Sequence, residues 1–142
     1  MECGDHSRRT RHGWALMAPE RLGPRGYLEE KVAILEAQLQ EIDTEVSSRT
    51  SDHQMILAAL ERARDTYTSA LSDENALGES SLGNNYTERR QRMHQIIRGV
   101  NTGIFDEIRV YSSFLKSLNA EKRQIQRAIA TLRLRMRLLA GE

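Results

Sequence analysis

Arg49 and His53 stand four residues apart, one helical turn, in a stretch whose other residues at that spacing are almost all apolar. If the chain folds back near residue 80, position i faces roughly position 160 − i, which brings Glu107, Ile108 and Tyr111 opposite the pair. The arithmetic therefore predicts a polar layer of Arg49, His53 and Glu107, with Glu107 the partner of Arg49 or His53; such a layer is either a device that fixes the alignment of two helices or responds to pH, or a solvated weak point at a helix break. Other reactive constellations are missing. His6, His12, His53 and His94 include no pair at a metal-ligand spacing on one helical face with an acid, so no metal is expected. Cys3 is the single cysteine, and no disulfide within the chain is possible. Neither a phosphate-cradling glycine loop, a nucleophile elbow, paired catalytic acids nor a cysteine–histidine arrangement occurs, so the expectation is a non-enzymatic protein without a cofactor.

Arginines form two groups. Arg89, Arg90 and Arg92, with Arg98 beyond them, fall near the expected turn; Lys122, Arg123, Arg127, Arg133, Arg135 and Arg137 fall near the end of the chain. Nucleic-acid binding needs such patches unneutralised and interleaved with aromatic residues for stacking. Neither group contains an aromatic residue, and the formal net charge is only +1. Nucleic acid is thus the third functional reading, behind arginines that are solvated, paired within the chain or offered to a protein.

The elements that must position these residues are two long amphipathic helices. Leu28, Val32, Leu35, Leu39, Ile42, Val46, Arg49, His53, Ile56, Leu60, Ala63, Tyr67 and Ala70 alternate steps of four and three, a repeat that keeps one stripe on one partner. Met93, Ile97, Val100, Ile104, Ile108, Tyr111, Leu115, Leu118, Lys122, Ile125, Ile129, Leu132, Met136 and Leu139 repeat the pattern, with an extra four at Ile104 to Ile108. The expected fold is all-α: a long antiparallel, coiled-coil-like two-helix hairpin, helix one about 27–74, turn 75–86 and helix two about 87–140, behind a flexible tail of residues 1–26. Thr87 is the expected cap of helix two. Gly23-Pro24-Arg25-Gly26 reads as a stop after a short turn at Ala18–Leu22. Two soft spots leave open a hairpin broken into a three- or four-helix bundle. Residues 47–52 are poor helix formers with a capping-box pattern at Ser51 and Gln54, and Gly99 and Gly103 lie inside helix two. Charge supports antiparallel pairing. Residues 28–74 hold eleven acids and four bases, a balance of −7, and residues 116–142 hold seven bases and two acids, a balance of +5.

A hairpin seam cannot bury every apolar residue. Ile34, Met55, Leu57, Ile96, Phe105, Val110, Phe114, Leu134 and Leu138 lie off it, and an exposed apolar stripe implies another chain or another copy. The expected partner-binding residues are Ile104, Phe105, Val110, Phe114, Leu134 and Leu138, with Arg89, Arg90, Arg92, Arg133 and Arg137. The segment Tyr111-Ser-Ser-Phe114-Leu115-Lys-Ser-Leu118, leading into a charged amphipathic run, resembles small helical accessory proteins of bacterial flagellar and type III export systems. Asn101-Thr-Gly-Ile104-Phe105 is similar to the Asn-plus-two-apolar pattern of the export chaperones for hook-associated subunits. The resemblance implies an accessory chaperone or a stalk protein touching the export ATPase. The first functional expectation is a scaffold or assembly protein, homo- or hetero-oligomeric, binding helical protein partners; the export accessory protein is its alternative. No stretch reaches the ~18 to 20 consecutive apolar residues that span a bilayer, and no secretory signal is present, so a soluble cytoplasmic protein is expected.

Overall fold

The computed structural model describes residues 23–78, 83 and 85–141. Two helices, α1 (Gly23–Leu77) and α2 (Tyr86–Leu139), pack antiparallel as a hairpin. The expected short turn at 18–22, most of the tail and much of the connecting turn lie outside the described residues.

The first helix begins four residues earlier than its sequence suggests, because the residues expected to stop a helix start one instead. Gly23 opens α1 at φ +73°, a left-handed value suited to glycine. Pro24 follows in the first turn, where its missing N–H is one that no helix would use. Arg25 then ties the turn down, pairing with Glu29 at 3.3 Å and donating to the carbonyl oxygen of Met136 at 3.0 Å. At the far end Gly78, φ +84°, donates its N–H to the carbonyl of Glu74 at 3.0 Å, the left-handed cap that ends many helices. Helix α2 is entered through Asn85 rather than Thr87: the Asn85 carbonyl accepts the Arg89 N–H at 2.9 Å, one residue before the helix starts.

Both soft spots are helical throughout, so the broken-bundle alternative is not adopted. Around 47–52, Arg49, Thr50 and His53 are each held by residues of α2, and such packing outweighs weak intrinsic propensity. In α2, a Cβ placed on Gly103 would meet the Leu60 side chain at 3.6 Å.

Two compact units divide the hairpin, one comprising residues up to Ser47 together with Leu115 onward, the other Ser48–Phe114. The first has the apolar core that its heptads promise: Leu28, Val32, Ile42, Leu118, Ile125 and Ile129 are buried, and Ile42 is fully enclosed at 0 % exposure. At its edges Lys122 reaches Asp43 at 2.9 Å and Arg133 pairs with Glu36. In the second unit the inward stripe departs from the expected one. Ile56 and Tyr67 are exposed while Leu57 is half-buried and Leu71 buried, and Ile108 is 44 % exposed while the Glu107 side chain is only 12 % exposed. The extra four in α2 is therefore not at Ile104 to Ile108; Glu107 takes the inward place, and steps of four to Tyr111 and Leu115 follow.

Candidate functional site: the polar layer and the uncovered side chains

Within the unit Ser48–Phe114, one carboxylate oxygen gathers the layer. Arg49 donates to Glu107 Oε2 at 2.9 Å, and His53 Nδ1 lies 2.7 Å from the same oxygen. Because an ionised carboxylate only accepts, Nδ1 is the nitrogen that carries the proton. Aromatic rings complete the arrangement. The His53 imidazole stacks on Tyr111, centroids 3.9 Å apart and planes within 9°, and the Arg49 guanidinium lies over Tyr111 at 5.6 Å and Phe114 at 6.0 Å. Tyr111 in turn shares a hydrogen bond between its hydroxyl and that of Thr50. The hydrogen bond from His53 holds the Glu107 carboxyl below its usual range; Arg49 adds a second hydrogen bond and its charge, against the opposing effect of burial. Arg49 Nη1 is enclosed and has no hydrogen-bond partner. Two donors on one oxygen, clamped by stacked rings, make a specific interhelical lock.

The sequence located Arg49, His53 and Glu107 but not the aromatic clamp or Thr50. Tyr111 was legible as a seam residue; what was not legible is that Glu107 displaces Ile108 from the seam, which lays the Tyr111 ring under His53.

The expected partner-binding residues are not brought together. Ile104 is buried in the seam at 9 % exposure and is not open to a partner. Phe114 is half-buried beside Tyr111 and Arg49, so it belongs to the polar layer's surround. Phe105 and Val110 are exposed, at 71 % and 48 %, yet five residues on an α-helix place them roughly 140° apart, on different faces. The residue that shares a face with Phe105 is Ile108, three positions on. Leu134 and Leu138 are exposed and share a face of α2. Of the arginines, Arg89 lies 3.7 Å from Glu74, Arg90 lies over the Tyr86 ring with its Nε enclosed and unbonded, and Arg133 pairs with Glu36, while Arg92 and Arg137 are exposed. Met55, 68 % exposed, is more open than any expected apolar partner residue except Phe105.

Among the described residues no group of three or more histidine, cysteine, aspartate or glutamate side chains is placed to hold a metal ion, and no helix is long and apolar enough to cross a membrane. Comparison with protein-family models, curated proteins and solved structures finds no match to this chain.

Proposed function

We propose that this chain is a non-enzymatic helical assembly protein that binds protein partners through apolar side chains outside its seam. The observation that carries the reading is the pair Phe105 and Ile108, 71 % and 44 % exposed one turn apart on α2, in a hairpin whose own seam is already closed by Leu71 and Ile104. Isolated surface apolar residues need no explanation, but a phenylalanine so open beside an isoleucine is an anchor of the kind that a partner's amphipathic helix covers. Basic ends are secondary in this reading: Arg89 and Arg133 already face acids, which disfavours nucleic acid as the ligand. A scaffold remains in the final assembly and an export-type chaperone is released from it, so the lifetime of the complex separates the two.

Site-specific photo-crosslinking tests the proposal. A crosslinker at position 105 should yield one discrete product, a second copy or another protein, and the same group at exposed Glu88 should not. Phe105→Glu should abolish that association while changing stability by no more than about 0.5 kcal/mol, the usual limit for surface positions. Equal crosslinking from both positions, or none from either, overturns the proposal.

A further inference from the structure

Within the unit Ser48–Phe114, a second side of the hairpin is uncovered as well. Arg49 lies over Phe114, so the side of α1 that carries Arg49 and the side of α2 that carries Phe114 are one side of the hairpin. On α1, Ile56 follows Arg49 at seven residues; on α2, Val110 and Ile96 precede Phe114 at four and eighteen, spacings that return to the same side of an α-helix. Ile56, Ile96 and Val110 are 42 %, 40 % and 48 % exposed. Phe105, nine residues before Phe114, lies half a turn round, so this surface is separate from the one that offers Phe105. Two charges flank the apolar residues: Asp52, three after Arg49, and Arg92, eighteen before Val110. Both are exposed, and neither has an ion pair or hydrogen bond among the described residues.

Contacts across the hairpin set the levels along it. Arg49 and His53 both reach Glu107, and Gly103 faces Leu60, so in this unit residue i of α1 stands level with residue ~160 − i of α2. At ~1.5 Å per residue, Asp52 is then ~24 Å along the hairpin from Arg92, and Ile56 is ~12 Å from Ile96. Both intervals have their midpoint beside Gly99, where the space outside the backbone is open. We propose that this face pairs with the same face of a second copy, turned end for end about a two-fold axis at Gly99. That one operation sets Asp52 of each copy level with Arg92 of the other and Ile56 of each level with Ile96 of the other, the self-complementarity that a two-fold interface requires. Charge selects the orientation. Copies running parallel would set Asp52 level with Asp52 and Arg92 level with Arg92. It also selects the occupant, since an unrelated partner gives no reason for the charged pair and the apolar pair to share a midpoint. Gly99 presents no side chain at the axis, which lets the two copies approach closely there. The face covers ~24 Å by two helix diameters of ~10 Å, or ~500 Å² on each copy, below the ~800 Å² of a standard interface, so the dimer is one that dissociates on dilution. This inference does not depend on the partner-binding role of Phe105.

Sedimentation equilibrium of the full-length chain, under reducing conditions that keep Cys3 from linking copies, tests the pairing. The native chain should pass from monomer to dimer within about 1 to 100 µM, as suits an interface at the small end of the size scale. Asp52→Arg and Arg92→Asp should each weaken the dimer about tenfold or more, because each sets like charges together twice. An equimolar mixture of the two variants should dimerise as the native chain does, since the mixed dimer has opposite charges at both positions. Gly99→Leu should abolish the dimer while the far-ultraviolet circular dichroism keeps its helical signal, leucine being the better helix former, so that loss of pairing is not loss of fold. Phe105→Glu should leave the dimer unchanged, which separates this result from the test of the Phe105 surface. A native chain that stays monomeric through this range overturns the proposal, as does a dimer that survives Gly99→Leu or a mixture no more dimeric than either charge variant alone. A dimer lost in Phe105→Glu but kept in both charge variants also overturns it, since self-association then belongs to the other face.

Discussion

The two units of the hairpin use one seam period for different purposes. In the unit up to Ser47 and from Leu115, the layers are apolar, Ile42 is fully enclosed, and the charged pairs Lys122–Asp43 and Arg133–Glu36 sit at the edges. In Ser48–Phe114, an arginine, a histidine and a glutamate occupy the layers, and Ile56 and Ile108 face outward. Apolar layers are nearly interchangeable, so a slip of one heptad would repack leucine or isoleucine on leucine or isoleucine at modest cost. A slip at the polar layer would leave Arg49, His53 and Glu107 facing apolar residues, each losing its partner. Stability should therefore reside in the first unit and alignment in the second.

Truncation of Ile42 gives the sharpest test of the first half of that contrast. Ile42→Ala should cost ~2 to 5 kcal/mol, the range for an enclosed isoleucine reduced to alanine. Ile56→Ala, an isoleucine that its heptad position alone would place inside, should cost well under that, since Ile56 is 42 % exposed. Chemical denaturation of both variants checks the difference. Equal losses would break the comparison, because they would mean that the second unit is packed as its heptads suggest.

For the polar layer, Glu107→Gln leaves Arg49 and His53 without a carboxylate and should cost ~1 to 3 kcal/mol. Replacing Arg49, His53 and Glu107 together by leucine should recover that loss or exceed it, since apolar layers often match or surpass enclosed ionic ones. What the triple variant should lose is a single alignment. Distances between spin labels on α1 and α2, narrow in the native chain, should broaden into more than one population. A triple variant with one narrow population would show that the apolar layers already specify register.

The hairpin was legible because its signals agreed: a long heptad period in both halves, opposite charge balances, and glycines between them. The polar layer was legible from Arg49 and His53 because two donors in an apolar stripe need an acceptor at a calculable position. The exact inward residue was not. An apolar-only count favours Ile108, and only the demand of Arg49 and His53 for a carboxylate turns Glu107 in and Ile108 out. Similarly, Gly23-Pro24 reads as a stop when seen from the residues before it and as a start when seen from those after it; Arg25, bonded to Met136, decides between them. The partner surface was least legible, because exposure depends on angular position around α2, and Phe105 with Val110 look adjacent only along the sequence.

Acid should separate the two units by pH. The Glu107 carboxyl is held below the ordinary glutamate value of 4.5, so its stabilising contribution is complete above that value and is lost as pH falls through the lowered one in the folded chain. The denaturation midpoint of the native chain should therefore decline on acidification below about 4.5 more steeply than that of Glu107→Gln, from which this carboxylate is absent. Identical slopes would mean that the hydrogen bonds from His53 and Arg49 do not favour the ionised form.

The smallest effect should come from the charged edge of the first unit. Arg133 and Glu36 are paired, yet their side chains are 53 % and 49 % exposed, and water screens both. An exposed ion pair gains little Coulomb energy and restrains two long side chains, so Arg133→Ala should change stability by ~0 to 1 kcal/mol, shrinking further at high salt. A double-mutant cycle with Glu36→Ala isolates the coupling. A coupling as large as the loss in Glu107→Gln would erase the distinction drawn between the units, because alignment would then be written at the edge of the apolar layers as well as in the polar one.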